Sequence, residues 1–277
     1  MSWVILNGDC LTEMPKLIER GVTVDAVIAD IPYGTTQCAW DVVIPFEPMW
    51  ANLKRLVKPS GAIVLFGAQP FTSALVMSNP QMFGYELIWE KLRPVGFLDA
   101  KKRPLRAHDN MLVFYSEPPT YNPQMIRGAM HKRDSKQEYS HQAGVYGAHA
   151  KSSLTHSDEY YPRSVIPCSI DPEMTVTRAQ RPNKLPIHPT QKPVELMRWL
   201  VRTYTNEGDA VLDFTAGHFS TGVACVIERR DFIGIEVDAD KCAVGEARMK
   251  RAQGIPADTP RLNKRQIDTP LFNTEAR

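Results

Sequence analysis

The run Val24-Asp25-Ala26-Val27-Ile28-Ala29-Asp30-Ile31-Pro32-Tyr33-Gly34 decides the architecture of this chain. A β-prone, almost wholly apolar stretch breaks off at an acid, a proline and an aromatic residue. Continuous apolar strands belong to sheets covered on both faces. Asp30 to Tyr33 therefore stand where a buried strand runs out, the place at which open α/β sheets present their ligand-binding residues.

Working outward, the pattern recurs. Gly61 to Phe66, Glu86 to Trp89 and Asn110 to Tyr115 read as further strands, and Phe46 to Val57 as a helix between the Val24–Ala29 and Gly61–Phe66 strands, with Pro59-Ser60-Gly61 as its stop signal. From Glu117 to about Pro186 the periodicity fades into Tyr, His, Arg, Lys, Pro and Ser, which fits either a long surface insertion or a folded recognition module. Order returns with a helix opened by Pro193, followed by a second strand, loop, helix and strand: Ala210 to Asp213, Ser220 to Glu228 and Phe232 to Glu236. A last helix ends near Arg251. The expected division is thus 1–116, 117–186, 187–252 and a tail, 253–277. The fold class is α/β: a Rossmann-like, mixed but mostly parallel sheet with helices on both faces.

Bulk properties narrow the partners. The chain has 277 residues, a formal charge of +2 and no apolar run that approaches a membrane span of roughly 18 residues. Trp3-Val4-Ile5-Leu6-Asn7 lacks the basic lead of a secretory signal and reads as a strand entering a loop. Five scattered cysteines have neither zinc nor disulfide spacing, so no metal site is expected and a reducing cytoplasm is the expected location. Net charge does not announce a polyanion, and any nucleic-acid surface must be local.

Three segments carry chemistry. An exocyclic amine on a base is a weak nucleophile because its lone pair is delocalised into the ring; accepting hydrogen bonds from both N–H groups localises that pair. Asp30 can supply one acceptor and the Ile31 carbonyl the other. Pro32 fixes its own φ and holds Ile31 extended, and Tyr33 offers a face for an extruded base. A strand-end turn rich in Asp and Pro has the same residues. Val211 to Gly222 is a strand, a glycine turn at Gly217 and a helix start, with Glu236 about 20 residues beyond Gly217, where an acid can accept ribose hydroxyls. A bare βαβ unit would look alike. In His188-Pro189-Thr190-Gln191-Lys192-Pro193, Thr190 and Lys192 precede a helix, where they can meet a carboxylate or a phosphate, although a proline-bounded helix start needs no such role.

In one order, these segments resemble the amino-methyltransferases of DNA, and most closely the N6-adenine enzymes of phages and restriction-modification systems. Their Asp-Pro-Pro-Tyr signature is matched by Asp30-Ile31-Pro32-Tyr33, and their His-Pro-Thr-(Glu or Gln)-Lys-Pro segment by residues 188 to 193. Catalytic segment first and cofactor loop last is the permuted arrangement of the β class. The resemblance implies S-adenosylmethionine as cofactor, with Asp9, Cys10, Asp30, Thr190, Lys192, Asp213, Thr215, Gly217 and Glu236 around it. It also implies base flipping in double-stranded DNA, 117–186 as the target reader, a homodimer in many relatives, and a bacterial or phage-infected cytoplasm. Asp30 argues for adenine, because N4-cytosine enzymes usually carry Ser there; N4-cytosine, RNA and protein amines are the alternatives. The chain departs from the family's Asp-Pro-Phe-x-Gly-Ser-Gly loop, with Phe214, Thr215 and Phe219 at the Pro, Phe and second Gly positions. Phe219 is expected to strain the loop or fill space elsewhere, and a relative that binds DNA but has lost the cofactor is the rival reading.

Lys101, Lys102, Arg103 and Arg106, with Arg127 and Arg133 in the variable region, are candidate DNA contacts, against a solvated loop. Gln266-Ile267-Asp268-Thr269-Pro270-Leu271-Phe272 resembles the peptides with which bacterial DNA enzymes dock onto the replication sliding clamp.

Overall fold

The computed structural model describes residues 2–36, 38, 41–132, 156–168 and 191–254. By contacts the chain forms one unit of residues 1–122 and 164–277 and a second of residues 123–163.

The first unit is built on an eight-stranded sheet. In chain order its elements are β1 (Trp3–Asn7), α1 (Cys10–Glu19), β2 (Val24–Ala29), α2 (Phe46–Leu56), β3 (Val57–Gly67), α3 (Phe71–Ser78), β4 (Phe83–Val95) and β5 (Arg106–Phe114). The second unit holds β6 (Ile126–Lys132) and β7 (His156–Tyr160), an antiparallel pair with Ile126 opposite Tyr160. The first unit resumes with β8 (Val165–Cys168), α4 (Val194–Tyr204), β9 (Ala210–Asp213), α5 (Ser220–Ile227), β10 (Asp231–Glu236) and α6 (Ala239–Ala252). The strand order is β1-β10-β9-β2-β3-β5-β4-β8. β1, β10, β9, β2 and β3 run parallel, β5 runs antiparallel to both its neighbours, and β8 is parallel to β4.

Alternation along the central strands explains the layering. Ile28, Ala62, Val64, Phe66 and Val211 face a cluster filled by α4, α5 and α6, whereas Val27, Ala29, Ile63, Leu65 and Leu212 face one filled by α1, α2 and α3. Both faces of β2 are dry, as its apolar run requires. From β2 the chain moves outward to β3, and from β9 outward the other way to β10. The adjacent pair β2 and β9 is therefore the switch point at which doubly wound sheets open a crevice.

Several expectations change. Pro59, Ser60 and Gly61 are not a helix stop but the early part of β3; α2 ends at Leu56 because Val57 turns extended (φ −88°, ψ 132°). A helix follows the first strand: Asp9 caps α1 by accepting from the Leu11 N–H at 2.9 Å, and Cys10, Met14 and Leu17 face the core at helical spacing. The stretch expected as one variable region divides, since Val165 to Cys168 join the main sheet beside β4 and Asn122 bonds the Arg202 and Thr205 carbonyls. Arg198 and Arg202 are buried on α4 because both donate to the buried Glu228 carboxylate, at 2.7 and 2.6 Å. That clamp seats α4 against the end of α5. Among the described residues no helix is long and apolar enough to cross a membrane, no group of His, Cys, Asp or Glu is placed to hold a metal ion, and the cysteines form no disulfide.

Candidate active site at the switch point

Asp30 leaves the end of β2 half-exposed in the crevice, and two groups hold its carboxylate. Lys192, 6% exposed, places its ammonium 2.5 Å from one oxygen, and the Tyr33 hydroxyl donates to the other at 2.7 Å. Lys192 lies just ahead of α4, so the helix seated by Glu228 delivers it. Its ammonium sits over the rings of Phe66 and Tyr33, at 5.1 and 5.7 Å. Tyr33 in turn stacks on Phe71, with centroids 5.3 Å apart. Burial first, and then the neighbouring Asp30 charge, push the Tyr33 phenol well above its usual range, so it donates rather than ionises. Ile31 is buried in the α1–α3 cluster, and its carbonyl accepts no hydrogen bond among the described residues. All four residues of the tetrapeptide are thus placed at one point.

The loop that follows has a fixing device which sequence reading missed. The buried Asp41 carboxylate accepts four backbone N–H groups: Tyr33 and Gly34 at 2.8 Å each on one oxygen, Thr35 at 2.9 Å and Thr36 at 2.7 Å on the other. Burial opposes its charge, but hydrogen bonds from Thr36, Gly34 and Tyr33 prevail and lower its pKa. The only signal was an acid several residues past a turn, which is commonplace.

Across the switch point, the Thr215 hydroxyl donates to the Asp30 carbonyl at 3.2 Å and ties the ends of β9 and β2. Asp213 is buried and accepts from the Thr215 N–H and the Thr221 hydroxyl; burial lifts its pKa to about 7, with Asp30 and Glu236 adding to the rise. Glu236, at the end of β10, accepts the Gly217 N–H at 2.8 Å and the Asp238 N–H at 3.0 Å. Asp9 lies exposed at the neighbouring end of β1, where the Gly8 N–H meets the Glu236 carbonyl at 3.0 Å. Cys10 is a buried, protonated thiol, raised to about 11 by burial and then by Asp9, and is no nucleophile. Gly217 has φ +52°, and a Cβ there would meet only the Thr215 carbonyl, at 3.9 Å. The turn is open.

Phe219 fills space elsewhere. Its φ of +61° is left-handed, and its ring turns inward, fully buried, edge-on to Phe232. Glycines make the slot: a Cβ on Gly245 or Gly234 would come within 2.1 or 2.6 Å of that ring. The substitution therefore leaves the loop surface unobstructed.

Lys101, Lys102 and Arg103 are exposed beyond β4, Arg106 opens β5 with its guanidinium 3.6 Å from Asp109, and Arg127 is exposed on β6 in the second unit. Thr190, Arg133 and the segment 266–272 lie outside the described residues.

A mostly parallel sheet with acids at or just past the ends of β1, β2, β9 and β10, gathered about its switch point, defines a doubly wound α/β protein with a ligand crevice. Within that class the chain belongs to the DNA methylase family, whose N6/N4 model matches residues 24–247. A stretch of 71 residues is 39% identical to the DNA adenine methyltransferase YhdJ of Escherichia coli K12, covering 26% of this chain and 24% of that protein. Over 265 residues the chain is 25% identical to the type II methyltransferase M.HpaI of Haemophilus parainfluenzae, 90% of this chain and 74% of that one. The fold is shared with M1.HpyAVI in its SAM complex (TM-score 0.59, 21% identity, 89% and 99% covered). It is shared also with the cytosine-N4-specific PvuII DNA methyltransferase (TM-score 0.63, 15% identity, 91% and 90% covered).

Proposed function

We propose that this protein methylates the N6 amino group of adenine at a specific site in duplex DNA, with the base turned out of the helix and S-adenosylmethionine as the donor. The observation that carries the reading is the Asp30 carboxylate held at the switch point by Lys192 and Tyr33, beside the Ile31 carbonyl, which accepts no hydrogen bond among the described residues.

The residues suit the cofactor. Asp9 offers an exposed acceptor for an adenine amine, Glu236 a carboxylate anchored by backbone N–H groups with acceptor capacity left for ribose hydroxyls, and Gly217 an open turn for close approach. When bound, S-adenosylmethionine supplies an electrophilic methyl group. The protein's part is to prepare the amine. Asp30 and the Ile31 carbonyl accept its two N–H groups and localise the lone pair. Tyr33, backed by Phe71 on one face, gives the extruded base an aromatic surface. The nitrogen must shed one proton as it gains a carbon substituent, and Asp30 is the acceptor in reach. Lys192 keeps that carboxylate aimed until the target amine competes for it.

Adenine is favoured over cytosine by Asp30 in the first position of the tetrapeptide, and by the likeness to a relative named as an adenine methyltransferase. The second unit, with its exposed Arg127, is the proposed reader of the flanking sequence. Incubation with labelled S-adenosylmethionine and mixed-sequence duplex DNA, followed by nucleoside analysis, is expected to give N6-methyladenine. N4-methylcytosine would reverse the base assignment, and an unlabelled product together with no cofactor binding by calorimetry would refute the reading. Asp30→Ala is expected to abolish turnover with cofactor affinity nearly unchanged.

A further inference from the structure

β4 and β5 do not stop at the edge of the sheet that carries Asp30. Gly67, the last residue of β3, is opposite Asn110, which is opposite Ile88. Beyond that level β8 accompanies β4 as far as Lys91, and past Lys91 the strands β4 and β5 run on alone as a short, bulged arm that ends with Val95 opposite Arg106. β4 bulges between Glu90 and Val95, so β5 sets the reach: from Asn110 to Arg106, at about 3.3 Å per residue, the arm extends roughly 13 Å past the edge. Lys91, at the base of the arm, is paired with Asp109 at 2.7 Å and lies within electrostatic range of Lys192. The arm therefore rises beside the crevice.

Its tip is a built turn with unusual contents. Gly96, at φ +92°, reverses the chain; its carbonyl accepts the Asp99 N–H, and Asp99 in turn accepts the Lys102 N–H on its carbonyl and pairs with Arg103 through its side chain. This turn holds Phe97 and Leu98 in solvent, 76% and 85% exposed. Beside them Lys101 and Lys102 are exposed and have no carboxylate partner among the described residues. Two large apolar side chains ringed by cations fit a polyanion whose interior is an apolar stack. A two-stranded ribbon also fits the major groove of DNA, about 12 Å wide.

We propose that this arm is a duplex wedge: Phe97 and Leu98 enter the base stack next to the extruded adenine, while Lys101, Lys102 and Arg103 grip the flanking phosphates. The proposal rests on the methyltransferase reading above. Apolar wedges of this kind unstack a base step and lower the cost of turning a base out.

The test uses the full chain and plasmid DNA whose modified positions have first been mapped with the wild-type protein. Single-turnover methylation and permanganate reactivity of the thymine opposite each modified adenine are then measured. Phe97→Ala with Leu98→Ala is expected to lower both at least tenfold, with cofactor affinity within twofold, whereas Phe97→Trp with Leu98→Met keeps both within about threefold. Lys101→Gln with Lys102→Gln is expected to flatten the slope of log binding constant against log salt by about 2, at roughly 0.9 per phosphate contact. Rate and thymine reactivity both within twofold of wild type in the double alanine variant would overturn the wedge. A wild-type protein that modifies no DNA would overturn the reading beneath it, and the wedge with it. Capture of the tip by anionic lipid vesicles, with thymine reactivity undiminished in the alanine variant, would assign it to a membrane surface instead.

Discussion

Replacing Asp41 by alanine removes the one carboxylate to which the loop after Pro32 is tied. Four backbone N–H groups lose their acceptor together. Hydrogen bonds to a charged group are worth about 1.5–3 kcal/mol each when the donor is left dry. Gly34, Thr35 and Thr36 are exposed, however, and water will take their N–H groups. A discounted value of roughly 0.5–1 kcal/mol per bond gives about 2–4 kcal/mol in all. Felt wholly in the placement of Tyr33 and Asp30, this is a fall in kcat of roughly 30- to 1000-fold, at about 1.4 kcal/mol per decade. Asp41→Asn is expected to lie between, because its amide nitrogen must face one pair of donors and only the other pair keeps an acceptor. The assay is single-turnover methylation of duplex DNA, with cofactor affinity by calorimetry and thermal melting as controls for folding. Turnover within threefold of wild type in a folded Asp41→Ala protein would refute the argument. The lowered pKa adds a sign: the carboxylate's contribution is complete above the ordinary carboxylate range and is lost only as pH falls through a still lower value.

Phe219→Ala keeps a Cβ, and with it the left-handed strain, while it empties a fully buried slot; at about 3–5 kcal/mol for a large-to-small aromatic change, a loss of about 3–5 kcal/mol is expected. A raised melting temperature would contradict it. Gly245→Ala, whose Cβ would fall 2.1 Å from the same ring, is expected to destabilise as well. Asp213, raised to about 7, keeps its proton in the folded state while the unfolded chain has released it, so wild-type stability relative to Asp213→Asn is expected to fall as pH rises from 5 towards 7. Parallel denaturant melts at pH 5 and 8 read this directly, and identical pH profiles would count against it. Deleting residues 264–277 is expected to abolish retention on an immobilised sliding clamp, and undiminished retention would remove that docking peptide.

What could be read from the chain was local. The strand ending in Asp30, the glycine turn at Gly217 and the acid at Glu236 each announce themselves within a few residues, and together they imply the parallel sheet and its crevice. What escaped depended on partners far away. Arg198 and Arg202 interrupt the apolar face of α4, and their burial leans on Glu228, supplied from the end of another helix, beside Glu195 on their own. Phe219 looked like an obstruction because the glycines that accommodate its ring lie in β10 and α6. Val165 to Cys168 sit in polar company that hid a strand, and pairing with β4 is what makes them one. Lys192 stood ready for a carboxylate of the cofactor, yet its partner here is Asp30, 162 residues earlier.

That separation sets a timetable. On the ribosome, Asp30 emerges early, but at about 5–20 residues per second the lysine that aims it follows roughly 8–30 s later. β1 waits longer still for β10, its one neighbour in the sheet among the described residues. A polypeptide released before β10 leaves β1 without that neighbour, and one released before β9 has no crevice at all.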